Sequence, residues 1–344
     1  MDARFAALER WLSAQFPGRP LRIAPASADA SFRRYWRVAV PDGPSRIAMD
    51  APPGLEDCRP FVRVAALFGA AGVHVPEVFA QDFEQGFLLL EDLGDATYLE
   101  RLTAESADTL YAAATDALLR IQLATRPGVL PEYDRTLLQR ELRLFPDWYV
   151  ARSLGARLTD ADERVLDSGF DALLSNILAQ PRTYVHRDYH SRNLMVCERL
   201  PGVLDFQDAV HGPLSYDLVS LFRDAYLCWD EERVLDWVVR YWEKARKAGL
   251  PVDGDFAAFY RDFEWMGVQR QFKVIGIFAR LHQRDGKARY LDDIPRVLGY
   301  LLAACRRYRE LGALAGLIER LVERAPSTES SDASGARAAG STIR

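Results

Sequence analysis

Three oxygen-bearing side chains, Asp188, Asn193 and Asp205, stand five and twelve residues apart in the stretch TYVHRDYHSRNLMVCERLPGVLDFQD that begins at Thr183. Their types suit phosphoryl transfer from ATP. One carboxylate can face an acceptor hydroxyl and take its proton, while an amide and a second carboxylate hold Mg²⁺ against the triphosphate. A hard cation takes oxygen ligands, so Asn and Asp fit where His or Cys would not. The bland alternative is a loop whose Asp and Asn only satisfy turn backbone. Spacing argues against it. Tyr184-Val185 and Leu194-Met195-Val196 read as short buried strands on either side of the motif, and Val203-Leu204 reads as a third after the Pro201-Gly202 turn. Strands so placed bring Asp188 and Asn193 to one sheet edge and end the next strand there with Asp205.

The elements that would position a nucleotide lie upstream. Helix 2–16 and a strand at Leu21–Ile23 precede a turn of small residues, Ser27 to Phe32. Arg33–Val40 then alternates like a half-buried strand, and Arg46–Met49 returns after Asp42-Gly43-Pro44. A strand–small loop–strand unit can cradle phosphates on its N–H groups, with Ser31 and Phe32 at the tip. No glycine lies between 19 and 42, so an ordinary hairpin remains the alternative. A helix at 57–71 and strands at 77–82 and 86–90 lead into Glu91-Asp92-Leu93-Gly94. That apolar strand running into a polar linker reads as a hinge, with backbone near Glu91, Asp92 and Leu93 facing adenine. One feature of protein kinases is missing: the ATP-binding Lys on the third strand. Here that strand reads Ile47-Ala48-Met49-Asp50, and the first lysine is Lys244. Arg33 or Arg34 is the candidate substitute, since a guanidinium forks onto phosphate oxygens; a solvated strand face is the alternative.

Helical periodicity dominates from residue 97, with helices expected at 105–124, 134–150, 159–179, 216–228, 230–248, 253–283, 292–311 and 312–325. The expected fold is therefore α+β with two lobes, protein-kinase-like. A small β-rich nucleotide-binding lobe spans 1–94 and a larger helical catalytic and substrate-binding lobe spans 95–325. The Ser/Ala/Gly-rich tail 326–344 reads as disordered. Asp217 either caps the helix after Pro213 or braces the catalytic loop by accepting N–H bonds, with His186 as a second support. Arg270, Lys273 and Arg280 share one helical face, which is either solvated or an anion-binding row; Gly276 near it would admit a close neighbour.

Composition narrows the partners. The 344 residues are 49% hydrophobic and 27% charged, ordinary for a globular chain. Net charge is −5 with pI about 5.7 and no dense basic block, which argues against nucleic acid or an anionic membrane as partner. No apolar run of 18 residues exists, and the acidic amphipathic N-terminus is neither signal nor transit peptide. Cys58, Cys197, Cys228 and Cys305 are far apart, so reduced, buried thiols in a cytoplasmic monomer are expected.

HRDYHSRN, LDFQD and GPLSYDL together resemble the aminoglycoside-phosphotransferase-like small-molecule kinases, and the likeness spans roughly residues 1 to 325. The resemblance implies ATP and Mg²⁺ as cofactors, Asp188 as catalytic carboxylate, Asn193 and Asp205 as metal ligands, and Glu91–Leu93 as hinge. The segments SADASFRRYWRV, GFLLLEDLGD and VLDFQDAVHGPLSYDLVSLFRDAY look most like the amino-sugar kinases of cell-wall recycling. That likeness implies transfer to the anomeric hydroxyl of N-acetylmuramate or N-acetylglucosamine. Arg223 and Asp224 would then serve sugar hydroxyls, and Arg270, Lys273 and Arg280 a sugar carboxylate. The rivals are a kinase of an aminoglycoside or amino alcohol, and a nucleotide-binding pseudokinase regulator suggested by the absent strand Lys.

Overall fold

A computed structural model describes residues 3–28 and 32–323. Helix α1 (Ala3–Gln15) opens the chain, followed by strands β1 (Arg22–Ala28), β2 (Arg34–Ala39) and β3 (Arg46–Asp50). Helix α2 (Arg59–Ala70) precedes β4 (Val78–Asp82) and β5 (Phe87–Glu91). These five strands form one antiparallel sheet in the order β1-β2-β3-β5-β4, with an irregularity in β1 between Pro25 and Ser27. The period-two alternation of a strand explains how both faces are buried. Ala48, Phe87 and Leu89 point towards Leu8 and Leu12 of α1. Met49, Leu88 and Leu90 point the other way, towards Phe61, Val64 and Phe68 of α2, which recur at helical spacing on one side.

The remainder is helical: α3 (Tyr98–Arg101), α4 (Ala107–Leu123), α5 (Arg135–Leu144) and, later, α6 (Asp160–Ala179). The helix expected at 134–150 changes character at Pro146, where a missing N–H interrupts the ladder. Phe145–Ser153 continue as a π-helix. Strand β6 (Arg182–Val185) precedes the catalytic loop, and β7 (Leu194–Met195) pairs with β8 (Gly202–Val203) after it. A further strand, β9 (Val210–Pro213), pairs antiparallel with β6; its Gly and Pro give it the look of a turn, and pairing overrides that. Helix α7 (Tyr216–Phe222) stops six residues short of the expected end, because residues 223–226 leave the helix to hold the catalytic loop from outside. Then come α8 (Glu231–Lys247), α9 (Phe256–Asp285), α10 (Ile294–Arg307) and α11 (Gly312–Glu323). The sheet and the helices form the two lobes of an α+β kinase-like fold.

The axis of the helical lobe is α9, 30 residues long and buried at almost every position from Phe263 to Gly276. At Gly276 an added Cβ would lie 2.5 Å from Leu144 Cβ and against that residue's backbone. The group that approaches this glycine is thus the end of α5, and helix packing is its role.

Two expectations fall outside the described residues: Ser31 and the tail 326–344. Of the cysteines, Cys58 and Cys305 are buried, whereas Cys197 is half-buried and Cys228 is exposed; all four are free thiols. No helix among the described residues is long and apolar enough to cross a membrane.

Candidate active site

The loop between β6 and β7 is held from three sides by carboxylates. Asp217, in the first turn of α7, accepts the backbone N–H groups of His186 at 2.6 Å and Arg187 at 3.0 Å. It braces the loop, and Ser215 occupies the helix N-cap instead. Asp224 accepts the N–H groups of Ser191 and Tyr226, both at 2.9 Å. Glu141 of α5 accepts from the Arg187 guanidinium at 2.6 Å and lies 3.2 Å from the Lys273 ammonium. His186 is fully buried beneath the loop. Its Nδ1 accepts the Asp188 N–H at 3.2 Å, so Nε2 carries the proton donated to Leu204 O at 2.9 Å. Burial lowers the His186 pKa, which keeps this ring neutral.

Asn193 and Asp205 lie side by side, and Asn193 reaches back to the main chain of Asp188, whose carboxylate lines a different cavity. Asn193 donates its amide N–H to Asp188 O at 2.9 Å, and the same nitrogen lies 3.4 Å from Asp205 Oδ2. Its carbonyl oxygen takes no part in these two contacts. Gln207 steadies the other Asp205 oxygen at 2.9 Å. Arg187 and Asp205 both adopt positive φ, 78° and 60°, a conformation that costs about 1–3 kcal/mol for a side-chain-bearing residue and concentrates at functional sites. Burial by itself would raise the Asp188 pKa, but Lys273, His190, Arg187 and Arg270 outweigh it and hold the carboxyl below its ordinary value. The donor set, one carboxylate and one amide oxygen beside a cleft, suits a Mg²⁺ whose other ligands are phosphates and water.

A cavity of ≈ 360 Å³ separates the lobes, walled by Ile47, the Leu90–Gly94 linker, Arg192, Asn193 and Asp205. The hinge side chains are engaged elsewhere. Glu91 meets His74 at 3.2 Å, and Asp92 binds Arg37 at 2.6 Å and Ser45 at 2.6 Å. Burial works against the Asp92 charge, yet Arg37 and Ser45 hold its pKa down. A larger hollow of ≈ 870 Å³ behind the hinge contains none of Asp188, Asn193 or Asp205 and is not the reaction chamber. On the far side of the catalytic loop, Asp188 faces a second cavity of ≈ 130 Å³ with Arg270, Lys273, Tyr216, Tyr226 and Phe278 in its walls. Two buried nitrogens there, His190 Nδ1 and Arg270 Nε, have no hydrogen-bond partner among the described residues. Such orphans are the atoms a ligand satisfies.

Several sequence-marked residues lie elsewhere. Arg34 forks onto Asp50 at 2.7 and 3.0 Å, away from both cavities. Arg33, by contrast, stands at the site with its guanidinium 3.3 Å from Asp205, while Phe32 is 64% exposed. Arg223 pairs with Glu231 at 2.7 Å and lines a separate hollow, and Asp224 is committed to loop N–H groups, so neither lines the cavity beside Asp188. The basic row on α9 splits. Arg270 and Lys273 are 4% and 6% exposed, which removes the solvated-face reading. Arg280 is half-buried and lies outside the cavity walls, two turns further along.

Sequence reasoning missed Glu141, Tyr216, Tyr226, His190 and Arg192. Glu141 had a legible signal: it shares the buried side of α5 with Leu138 and Leu142, an apolar position where an acid demands a cation.

This constellation, on this fold, defines a phosphotransferase, and the chain belongs to the phosphotransferase enzyme family, whose model matches residues 22–256. Among curated relatives, the N-acetylmuramate/N-acetylglucosamine kinase of Neisseria meningitidis is 51% identical over 319 residues, covering 92% of this chain and 95% of that protein. The enzyme of the same name from Pseudomonas aeruginosa is 51% identical over 330 residues, covering 93% and 97%. That from Caulobacter vibrioides is 33% identical over 352 residues, covering 87% and 91%. Among solved structures, ADP-bound aminoglycoside phosphotransferase APH(2'')-Ib superposes with TM-score 0.54 at 15% identity, covering 87% of this chain and 98% of that one. Choline kinase LicA from Streptococcus pneumoniae gives TM-score 0.61 at 14% identity, covering 87% and 98%. These two share the fold.

Proposed function

We propose that this enzyme transfers the γ-phosphoryl group of ATP to the anomeric hydroxyl of an amino sugar, N-acetylmuramate or N-acetylglucosamine, yielding the sugar 1-phosphate in cell-wall recycling. The observation that carries the reading is the character of the Asp188 cavity. It holds two buried cations, Arg270 and Lys273, beside aromatic rings that suit a sugar face. N-acetylmuramate brings a carboxylate to such a site, whereas aminoglycosides and choline bring positive charge. The names of the curated relatives support the same acceptors.

In the mechanism, Asp188 orients the acceptor O1 and takes its proton. The new bond forms from O1 to phosphorus as the bond to the β-phosphate bridging oxygen breaks, and ADP leaves with the electron pair. A hemiacetal hydroxyl is more acidic than an ordinary alcohol, so a carboxylate held ionised suffices. With a loose transition state, positioning and electrostatics supply most of the acceleration. Asn193 and Asp205 would hold Mg²⁺, which when bound neutralises charge on the triphosphate. The backbone of Glu91–Leu93 would receive adenine. All of these groups come from one chain, so a monomer suffices, and dependence on ATP suits the cytoplasm.

An ADP-release assay across N-acetylmuramate, N-acetylglucosamine, gentamicin and choline tests the reading, with phosphorus NMR of the product. Turnover with the amino sugars and a phosphate on C1 is expected. Turnover only with the cationic acceptors would refute it, and ATP binding without turnover on any acceptor would favour the pseudokinase.

A further inference from the structure

The strand that supplies a phosphate-binding lysine in protein kinases carries Met49 here, fully buried in the apolar cluster with Phe61. Two arginines stand in the walls of the interlobe cavity. Arg37 is committed: Asp92 takes it at 2.6 Å and 3.0 Å, and Asp95 at 2.6 Å. Arg192 differs. Among the described residues its guanidinium makes no hydrogen bond or ion pair, and it lies over the face of Tyr226, 3.6 Å from the ring centre. Stacking of this kind fixes the plane of a guanidinium while leaving its edge N–H donors available.

Placement strengthens the case. Arg192 immediately precedes Asn193 and shares the nucleotide cavity with Asn193 and Asp205. Its platform, Tyr226, is a wall of the acceptor cavity beside Asp188. The guanidinium therefore stands where the two cavities meet, which is where a phosphoryl group in transit must pass. Tyr226 is held in turn by Asp224, which accepts its N–H at 2.9 Å along with that of Ser191, so one carboxylate anchors both loop and platform.

We propose that Arg192 is the catalytic cation of the phosphoryl transfer: it binds the γ-phosphate oxygens of ATP and takes the place of the absent strand lysine. The inference rests on reading the interlobe cavity as the nucleotide site. Charge on the γ-phosphoryl oxygens is met by a planar fork already oriented, so little reorganisation accompanies the transfer.

The test uses the full chain, with Arg192→Ala, Arg192→Gln and Arg192→Lys. Calorimetric affinities for Mg-ATP, Mg-ADP and AMP are measured beside turnover with N-acetylmuramate, after circular dichroism confirms folding. Expected is a fall in kcat of about a hundredfold or more in Arg192→Ala and Arg192→Gln, as for loss of one preorganised charged donor. ATP should lose its advantage over ADP while AMP affinity stays unchanged, and Arg192→Lys should recover part of both. Turnover and the ATP-to-ADP ratio both within twofold of wild type would overturn the inference. So would an equal loss of AMP and ATP affinity, which marks a structural role. The nucleotide affinities read Arg192 separately from the sugar: wild-type turnover absent on every amino sugar defeats the proposed acceptor, and the ATP-to-ADP ratio still decides Arg192.

Discussion

Asp217 accepts the backbone N–H of His186 at 2.6 Å from 31 residues downstream, and with its other oxygen it takes the N–H of Arg187, so one buried carboxylate sets the backbone that presents Asp188. Burial pushes the Asp217 pKa up to about 6, even with His186 beside it and two N–H groups aimed at it. Asp188 is held low, so an acid limb near pH 6 belongs to Asp217. The account predicts that kcat falls as pH drops through about 6, because a protonated Asp217 can no longer accept both N–H groups. Asp217→Asn should lose about tenfold or more at pH 7.5 and no longer show that limb. Stability runs the opposite way. The folded value lies above the 3.8 of an unperturbed Asp, so the folded state holds the proton between about pH 4 and 6 and stability declines as pH rises through that window. A pH–rate profile beside thermal melts checks both signs; a limb that survives in Asp217→Asn would contradict the assignment.

Arg270 should discriminate between acceptors. Arg270 lines the acceptor cavity and makes no hydrogen bond or ion pair among the described residues through its buried Nε, whereas Lys273 is engaged with Tyr216 at 2.8 Å and Glu141 at 3.2 Å. Arg270→Ala is expected to raise KM for N-acetylmuramate by about tenfold, equivalent to one charge-assisted hydrogen bond, with little change for N-acetylglucosamine. Arg280→Ala, outside the cavity, should leave both sugars alike. Steady-state kinetics with the two sugars decide it, and equal losses in Arg270→Ala would show a structural role.

Glu141 compensates two buried cations at once. Burial opposes its charge, but Lys273 and Arg187 lower its pKa and keep it ionised. Glu141→Gln removes the carboxylate that touches both the Arg187 guanidinium and the Lys273 ammonium and leaves Asp188 as the acid acting on them; breaking such a buried pair costs about 3–5 kcal/mol. Chemical denaturation should show the loss. A variant as stable as wild type would mean that Tyr133 and Tyr216 hold the cations unaided.

What was readable from sequence follows from where each interaction lies along the chain. Asp188, Asn193 and Asp205 sit within one short stretch, between strands whose lengths leave few arrangements, so type and spacing together indicated that they share one loop region, with Asn193 beside Asp205 and bonded to the Asp188 main chain. The sheet was readable because turns punctuate each strand. Glu141 and Arg187 lie 46 residues apart, and the geometry that pairs them is tertiary. The basic row on α9 misled for a related reason. Helical spacing shows that Arg270, Lys273 and Arg280 share a side, but in a helix buried nearly all round it does not show what each one faces. The strand at Val210–Pro213 escaped notice because its residues favour a turn and only β6 makes it extended.

The central claim, that Asp188 performs the chemistry on an acceptor beside a magnesium nucleotide, is tested most directly by turnover of Asp188→Asn with N-acetylmuramate. The substitution keeps the shape of the side chain and removes the base. The account predicts a loss of about a thousandfold or more with thermal stability and nucleotide affinity retained. Turnover comparable to wild type would contradict it.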